Sequence, residues 1–300
     1  MHNQPIVVGV DGSDAGQDAV RWAAREAAFH KCRLTIVNAS PVLLTYGPGM
    51  ALVSYGPALA LAPEEFDSER TGRAILSASE RTVESMIDEI GVVDTCTEFV
   101  AGPTIPSLLD LSKDARLLVV GNRGLGAFRR RLLGSVSTAV AHHAHCPVVV
   151  VRTPESAYGP GSSAPVVVGV DGTDSSAKAI EIAFDEASHR GVELVAVYAW
   201  TDYSDLVTSV NSWPTPQAEQ EALLAECLAG WRERYPEVDV RKVAVRDRPA
   251  RKLLAQSEVA QLVVVGSHGR GGFSGMTLGS TSEVLLHHVE CPIIIARKQD

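Results

Sequence analysis

Short runs of β-branched and aliphatic residues alternate along this chain with longer stretches whose apolar positions recur every three or four residues. IVVGV after Pro5, LLVVG from Leu117 and PVVVV from Pro147 are runs of the first kind. Apolarity on both faces of such short runs fits parallel strands covered on each side by helices, not strands with one wet face. The pattern predicts strands at about 5–10, 34–39, 97–101, 117–121 and 147–151, and again at about 165–170, 193–199, 240–246, 262–266 and 292–296. The helical stretches between them open on residues whose hydroxyls can accept from free first-turn amides, Ser13 and Thr173 among them. The expected class is α/β: two tandem doubly wound, five-stranded parallel sheets, each sandwiched by helices.

The doubling is written in the residues themselves. PIVVGVDGSDAGQDAV from Pro5 recurs as PVVVGVDGTDSSAKAI from Pro165, an offset of 160, whereas LLVVGNRG from Leu117 matches LVVVGSHG from Leu262, an offset of 145. HHAHCPVVVVR from His142 matches HHVECPIIIAR from His287 at that second offset. The first copy therefore carries 15 additional residues between Ser40 and Glu98, where the Gly- and Pro-rich TYGPGMALVSYGPALALAP looks like an inserted loop. Between the copies lies a Pro/Gly/Ser stretch with nothing to bury. Domains are expected at 1–152 and 165–300, joined by a linker at 153–164.

Composition narrows the function classes. A formal charge of −9 gives no whole-molecule attraction for nucleic acid or anionic lipid, and no run approaches the roughly 20 apolar residues that span a bilayer. Neither a nucleic acid nor a membrane is an expected partner, and without a leader-like start the protein is expected in the cytoplasm. The five cysteines are odd in number and lack a C-x-x-C pair, so they read as reduced, mostly buried thiols. HHAHC invites a metal site, but His142 and His143 are adjacent and cannot share one helix face, and the second copy has Glu290 where the first has His145. No protein metal site is read from the sequence.

The candidate chemistry lies in a repeated glycine pattern. GNRGLGAFRRRLLGS (Gly121–Ser135) and GSHGRGGFSGMTLGS (Gly266–Ser280) share glycine, two residues, glycine, nine residues, then Gly-Ser, each directly after an apolar run. Ligands in doubly wound sheets bind beyond the carboxyl ends of strands, where this pattern starts. Gly121 and Gly124 would permit close backbone approach and φ angles other residues resist. Gly134-Ser135 would open a helix whose first amides attract an anion, with Ser135 and Ser137, or Ser280, Thr281 and Ser282, adding hydroxyl donors. A strand-to-helix turn alone would also use glycines, but two loops that keep this spacing while their other residues differ favour a phosphate site. There is no G-x-x-x-x-G-K-[ST] and no G-x-G-x-x-G after the first strand. Asp11 and Asp171 end that strand instead, suited either to a ribose hydroxyl or base amine or to capping their own turn. Arg129, Arg130 and Arg131 at the loop centre read as a solvated basic loop, with a polyphosphate clamp as the alternative.

VGVDGS, then G-x2-G-x9-G-S, then a closing H-C-P-V-V-V-V strand resembles the universal stress protein family over nearly the whole chain. Two copies are similar to the tandem members of mycobacteria and related actinobacteria. The resemblance implies a sheet order of 3-2-1-4-5 and the family's ATP-binding subclass, with Mg2+ held through the phosphates. Carried over, the first site comprises Gly9, Val10, Asp11, Ala39, Val120, Gly121, Arg123, Gly124, Gly134, Ser135, Val136 and Ser137. The second comprises Gly169, Val170, Asp171, Ala199, Val265, Gly266, His268, Gly269, Gly279, Ser280, Thr281 and Ser282. Family members pair through the last strand, so PVVVVR and PIIIAR are expected to pair within the chain, with a homodimer and a protein partner beyond that. The expected function is a nucleotide-dependent regulator of stress response or growth. The alternatives are a slow ATPase or adenylyl-transfer enzyme, and a scaffold with structural nucleotide. No catalytic residue is assigned, because Arg123, His268 and hydroxyls do not supply a repeated base.

Overall fold

The computed structural model describes residues 4–41, 68–124, 133–152, 162–201, 217–270 and 277–297. The glycine- and proline-rich insert, Arg129–Arg131 and most of the linker lie outside the described residues.

The first half runs β1 (Ile6–Gly9), α1 (Asp14–His30), β2 (Leu34–Ser40), α2 (Ser68–Glu84), α3 (Ile87–Ile90), β3 (Thr95–Ala101), α4 (Thr104–Leu111), β4 (Leu117–Gly121), α5 (Ser135–His143) and β5 (Val148–Val151). The second runs β6 (Val166–Val170), α6 (Asp174–Arg190), β7 (Leu194–Trp200), α7 (Gln217–Arg234), β8 (Val240–Arg246), α8 (Pro249–Ser257), β9 (Leu262–Gly266), α9 (Ser280–His288) and β10 (Ile293–Ala296). The expected caps are in place: Ser13 Oγ accepts from Gly16 N at 3.1 Å and Thr173 Oγ1 from Ser176 N at 3.3 Å.

Each half pairs its strands in parallel in the order expected from the resemblance, and the two join into one ten-stranded sheet, β3-β2-β1-β4-β5-β10-β9-β6-β7-β8. The join is the antiparallel pair β5–β10, with Ile293 opposite Val150 and Ile295 opposite Val148. Two exposed edges that would otherwise template aggregation thus satisfy one another. Alternation along the strands feeds two apolar layers. Ile6, Val8, Val149 and Ile294 pack toward α1, α2, α6 and α7, while Val7, Val148, Val150 and Ile295 pack toward α4, α5, α8 and α9. Both layers run through both halves.

Reciprocal arginines pin the join. Arg152, just past β5, donates to the carbonyls of Leu286 and His287 at the end of α9, and Arg297, just past β10, donates to Ala141 O in α5. Cations suit carbonyls left over at helix C-termini. His142 also crosses, its Nδ1 2.7 Å from Thr277 Oγ1 and its Nε2 2.9 Å from Glu283 Oε2, so this histidine tract bonds the halves to one another. All five cysteines are free thiols, but the expectation of burial holds only in part: Cys146 and Cys291 are buried, Cys32 and Cys227 half-buried, and Cys96 exposed on β3. Burial pushes the Cys146 and Cys291 thiols up to about 12.

Candidate nucleotide site

Strands β1 and β4 are neighbours, Gly9 lying opposite Val120, and so are β6 and β9. Their carboxyl ends therefore bring the first-strand aspartate against the glycine loop. In the second half these ends open into a cavity of about 570 Å³. All twelve second-half residues named above line it.

The aspartates do the turn work that one of the two sequence readings offered. Asp171 Oδ1 accepts from Thr173 N at 3.0 Å and from its hydroxyl at 2.7 Å, while Oδ2 accepts from Arg270 N at 3.2 Å, tying the loop to the strand end. Asp11 Oδ1 accepts likewise from Ser13 N at 3.0 Å and from its hydroxyl at 2.6 Å. Ser13 Oγ lies 3.4 Å from the Arg123 carbonyl.

Three expectations about the motif need correction. Among the described residues, positive φ falls not on Gly121, Gly124, Gly266 or Gly269 but, near the site, on Gly12 (87°) and Gly172 (78°), inside the first-strand turn. Gly121 and Gly266 must be small because α1 and α6 press on them: an added Cβ would lie 2.6 Å from Ala15 O in one half and 2.6 Å from Ser175 Oγ in the other. Among the described glycines of each loop, the second faces the aspartate, a Cβ on Gly269 falling 2.6 Å from Asp171 Oδ2 and one on Gly124 colliding with Asp11 Oδ2. The third correction concerns Ser137 and Ser282. Both are buried and donate their hydroxyls to the carbonyls of Gly121 and Gly266 at 2.6 Å, which fixes the strand end to the helix and removes those protons from service to a phosphate. Ser137→Ala and Ser282→Ala are each expected to lower unfolding free energy by about 1–2 kcal/mol in urea titrations, the scale for stranding a buried hydrogen-bond partner.

What remains for an anion is the backbone of the helix ends, with the hydroxyls of Ser135, Ser280 and Thr281. Gly134 and Gly279 stand at the N-caps of α5 and α9 and give no side-chain cap, unlike Ser13 and Thr173 on α1 and α6. The first intrahelical bonds come from Thr138 N and Glu283 N, so the amides ahead of them, on Ser135–Ser137 and Ser280–Ser282, point out of the helix ends. A further bond, Gly279 N to Ser267 O at 2.7 Å, folds the loop back over the strand, and Gly134 N to Asn122 O at 2.8 Å repeats it.

Several cavity residues were not foreseen. Tyr198, Trp200 and Thr201 flank Ala199 at the end of β7, Pro249 and Leu253 come from α8, and Arg270 follows Gly269. The Arg270 guanidinium lies 5.4 Å over the Tyr198 ring and donates to its hydroxyl at 2.8 Å. Adjacency to Ala199 and Gly269 was the available signal for Tyr198, Trp200 and Arg270; for Pro249 and Leu253 the sequence offers none. The first half differs here: Asn38 and Ser40 stand where the second has Tyr198 and Trp200. Thr104, in place of Pro249, donates its hydroxyl to Ala39 O at 2.8 Å, a bond proline cannot make.

Fold and site together define a tandem α/β protein carrying a glycine loop and an uncapped helix N-terminus at the same switch point in each half. The universal stress protein family model matches residues 2–152 and 163–297, and the chain belongs to that family. It is similar to a universal stress protein of Mycobacterium tuberculosis, 45% identical over 295 residues, 98% of this chain and 96% of that one. A universal stress protein of Archaeoglobus fulgidus shares the fold over 99% of this chain and 98% of its own, with a TM-score of 0.65 and 19% identity. A universal stress protein solved in complex with cAMP is 31% identical and covers 49% of this chain and 95% of that one, with a TM-score of 0.35.

Proposed function

We propose that each half binds one adenine nucleotide, ATP with Mg2+ on its phosphates, and that occupancy makes the chain a nucleotide-dependent regulator of stress response or growth. In this reading it acts in the cytoplasm, as a homodimer, through a protein partner. The observation that carries the proposal is the second-half cavity, where the repeated glycine loop, the outward amides of α9 and the first-strand turn converge with an apolar floor of Leu253 and Pro249. Its volume of about 570 Å³ lies within the range of small-molecule sites. Amides and the Ser280 and Thr281 hydroxyls suit phosphates, Arg270 adds a cation, and Trp200 and the Ala199 backbone suit a base.

Among the described lining residues the acidic group is Asp171, and both of its oxygens accept protein hydrogen bonds. That supports magnesium held through phosphates and weighs against a carboxylate poised as a hydrolytic base. The test is to denature protein never exposed to added nucleotide and quantify released adenine nucleotide by chromatography. Close to two ATP per chain is the expected result and one would mark the halves as unequal. None, followed by no calorimetric binding of Mg-ATP, would overturn the proposal.

A further inference from the structure

Away from the crevices, helices α1 and α6 bring an unusual set of side chains together where the halves meet. The repeat offset of 160 makes Glu26 the counterpart of Glu186 and His30 the counterpart of Arg190. Arg190 donates to both carboxylates, to Glu26 Oε1 and, at 3.0 Å, to Glu186 Oε2. The remaining oxygens, Glu26 Oε2 and Glu186 Oε1, turn the other way and lie 3.7 and 3.9 Å from His30 Nε2. Glu26 is 1% exposed, Glu186 3%, and Glu26 Oε2 is a buried acceptor with no hydrogen-bond partner. Two buried carboxylates thus face one guanidinium, and an imidazole holds the corner where symmetry would have put a second cation.

We propose that Glu26 Oε2, His30 Nε2 and Glu186 Oε1 bind a divalent transition-metal ion, zinc by their chemistry, that clips the two halves together. Two carboxylate oxygens and an imidazole nitrogen are a zinc donor set, and tetrahedral bonds of about 2.0–2.2 Å place donors roughly 3.3–3.6 Å apart. One ligand atom from each of the three residues lies within 4.8 Å of the other two, and the two separations from His30 Nε2 are 3.7 and 3.9 Å, so drawing the donors inward completes the geometry, with water as fourth ligand. Arg190 fixes the other oxygen of each carboxylate.

The surrounding groups constrain the histidine ring. Arg116 donates to His30 Nδ1 at 3.0 Å, which leaves Nε2 as the ring nitrogen that faces the two glutamates. Metal at Nε2 requires the ring N–H on Nδ1, so Arg116 must swing off that nitrogen; Asp185 Oδ2 lies 3.7 Å from it. Arg116, already 3.3 Å from Asp185 Oδ2, remains paired there. The alternative triad of His30, Asp185 and His189 uses Nδ1, which Arg116 covers, and lacks a buried partnerless oxygen.

The experiment is calorimetric titration of the EDTA-treated, nucleotide-free full chain with zinc chloride. Expected are one zinc per chain, and affinity weakened about tenfold or more in His30→Gln, the low end for disturbing even a supporting group. Absence of stoichiometric zinc binding in the wild-type chain, or unchanged affinity in the variant, overturns the proposal. Should His30→Gln fail to fold, histidine-ring nitrogen NMR of the wild-type chain decides: a His30 Nε2 resonance moved by stoichiometric zinc supports the site, and an unmoved one refutes it.

Discussion

Gly269→Glu is expected to cut Mg-ATP affinity in the second half by at least about 100-fold, and combined with Gly124→Glu to remove nucleotide from the chain altogether. The backbone at Gly269 lies against Asp171 and lines the cavity, and any side chain there displaces Asp171 Oδ2 from its bond to Arg270 N. A glutamate adds a negative charge to a crevice whose outward amides select for anions, a like-charge contact that costs several kcal/mol. Calorimetry of the single variant should show stoichiometry falling by one site. Circular dichroism should stay native, because Gly269 is at the surface and its near neighbour is the end of a flexible side chain. Gly269→Ala, which adds the collision without the charge, should weaken binding far less. Wild-type affinity in Gly269→Glu would remove the loop from the phosphate site.

The second large effect is on stability. Arg190→Met is expected to lower unfolding free energy by about 3–5 kcal/mol at pH 7, the range for stranding a buried ionic partner. Arg190 holds Glu26 and Glu186, residues with 1% and 3% exposure, and its guanidinium also stacks 5.8 Å from the Trp22 ring. Burial by itself raises the Glu186 carboxyl, yet Arg190 and His30 together pull it down to about 2. A depressed carboxylate stabilises the folded state above its unfolded value near 4.3 and loses that contribution as pH falls toward 2. In the variant burial acts without the arginine, both carboxyls rise, and the fold gains as they take up protons on acidification. The gap between wild type and variant should therefore be widest near neutrality and narrow toward pH 3, read from urea midpoints across that range. A constant gap would assign the loss to packing rather than charge.

Much of the frame was legible because its signals are local. The runs at 117–121 and 262–266 became β4 and β9 with the bounds read from the sequence, and Ser13 and Thr173 cap the helices they precede. β3 begins at Thr95, two residues before the expected start, since its half-exposed residues lack the apolar run that marks the central strands. The lining of the second-half cavity was legible as a set of positions through the family resemblance that the repeated motifs carry. The reasons for those positions were not, since sequence cannot distinguish a glycine facing a ligand from one pressed by a helix, as Gly121 is by Ala15.

Sequence by itself determined the repeat, the strand runs and the paired glycine spacing, all of which follow from the periodicity and steric limits of neighbouring residues. Tertiary structure alone decided that Ser137 and Ser282 spend their hydroxyls on Gly121 and Gly266, and that Arg270 lies on Tyr198. It alone set Arg190 against Glu26, 164 residues away. Such pairings depend on how the sheet halves meet along β5 and β10, and a contact across that join has no periodicity along the chain to announce it.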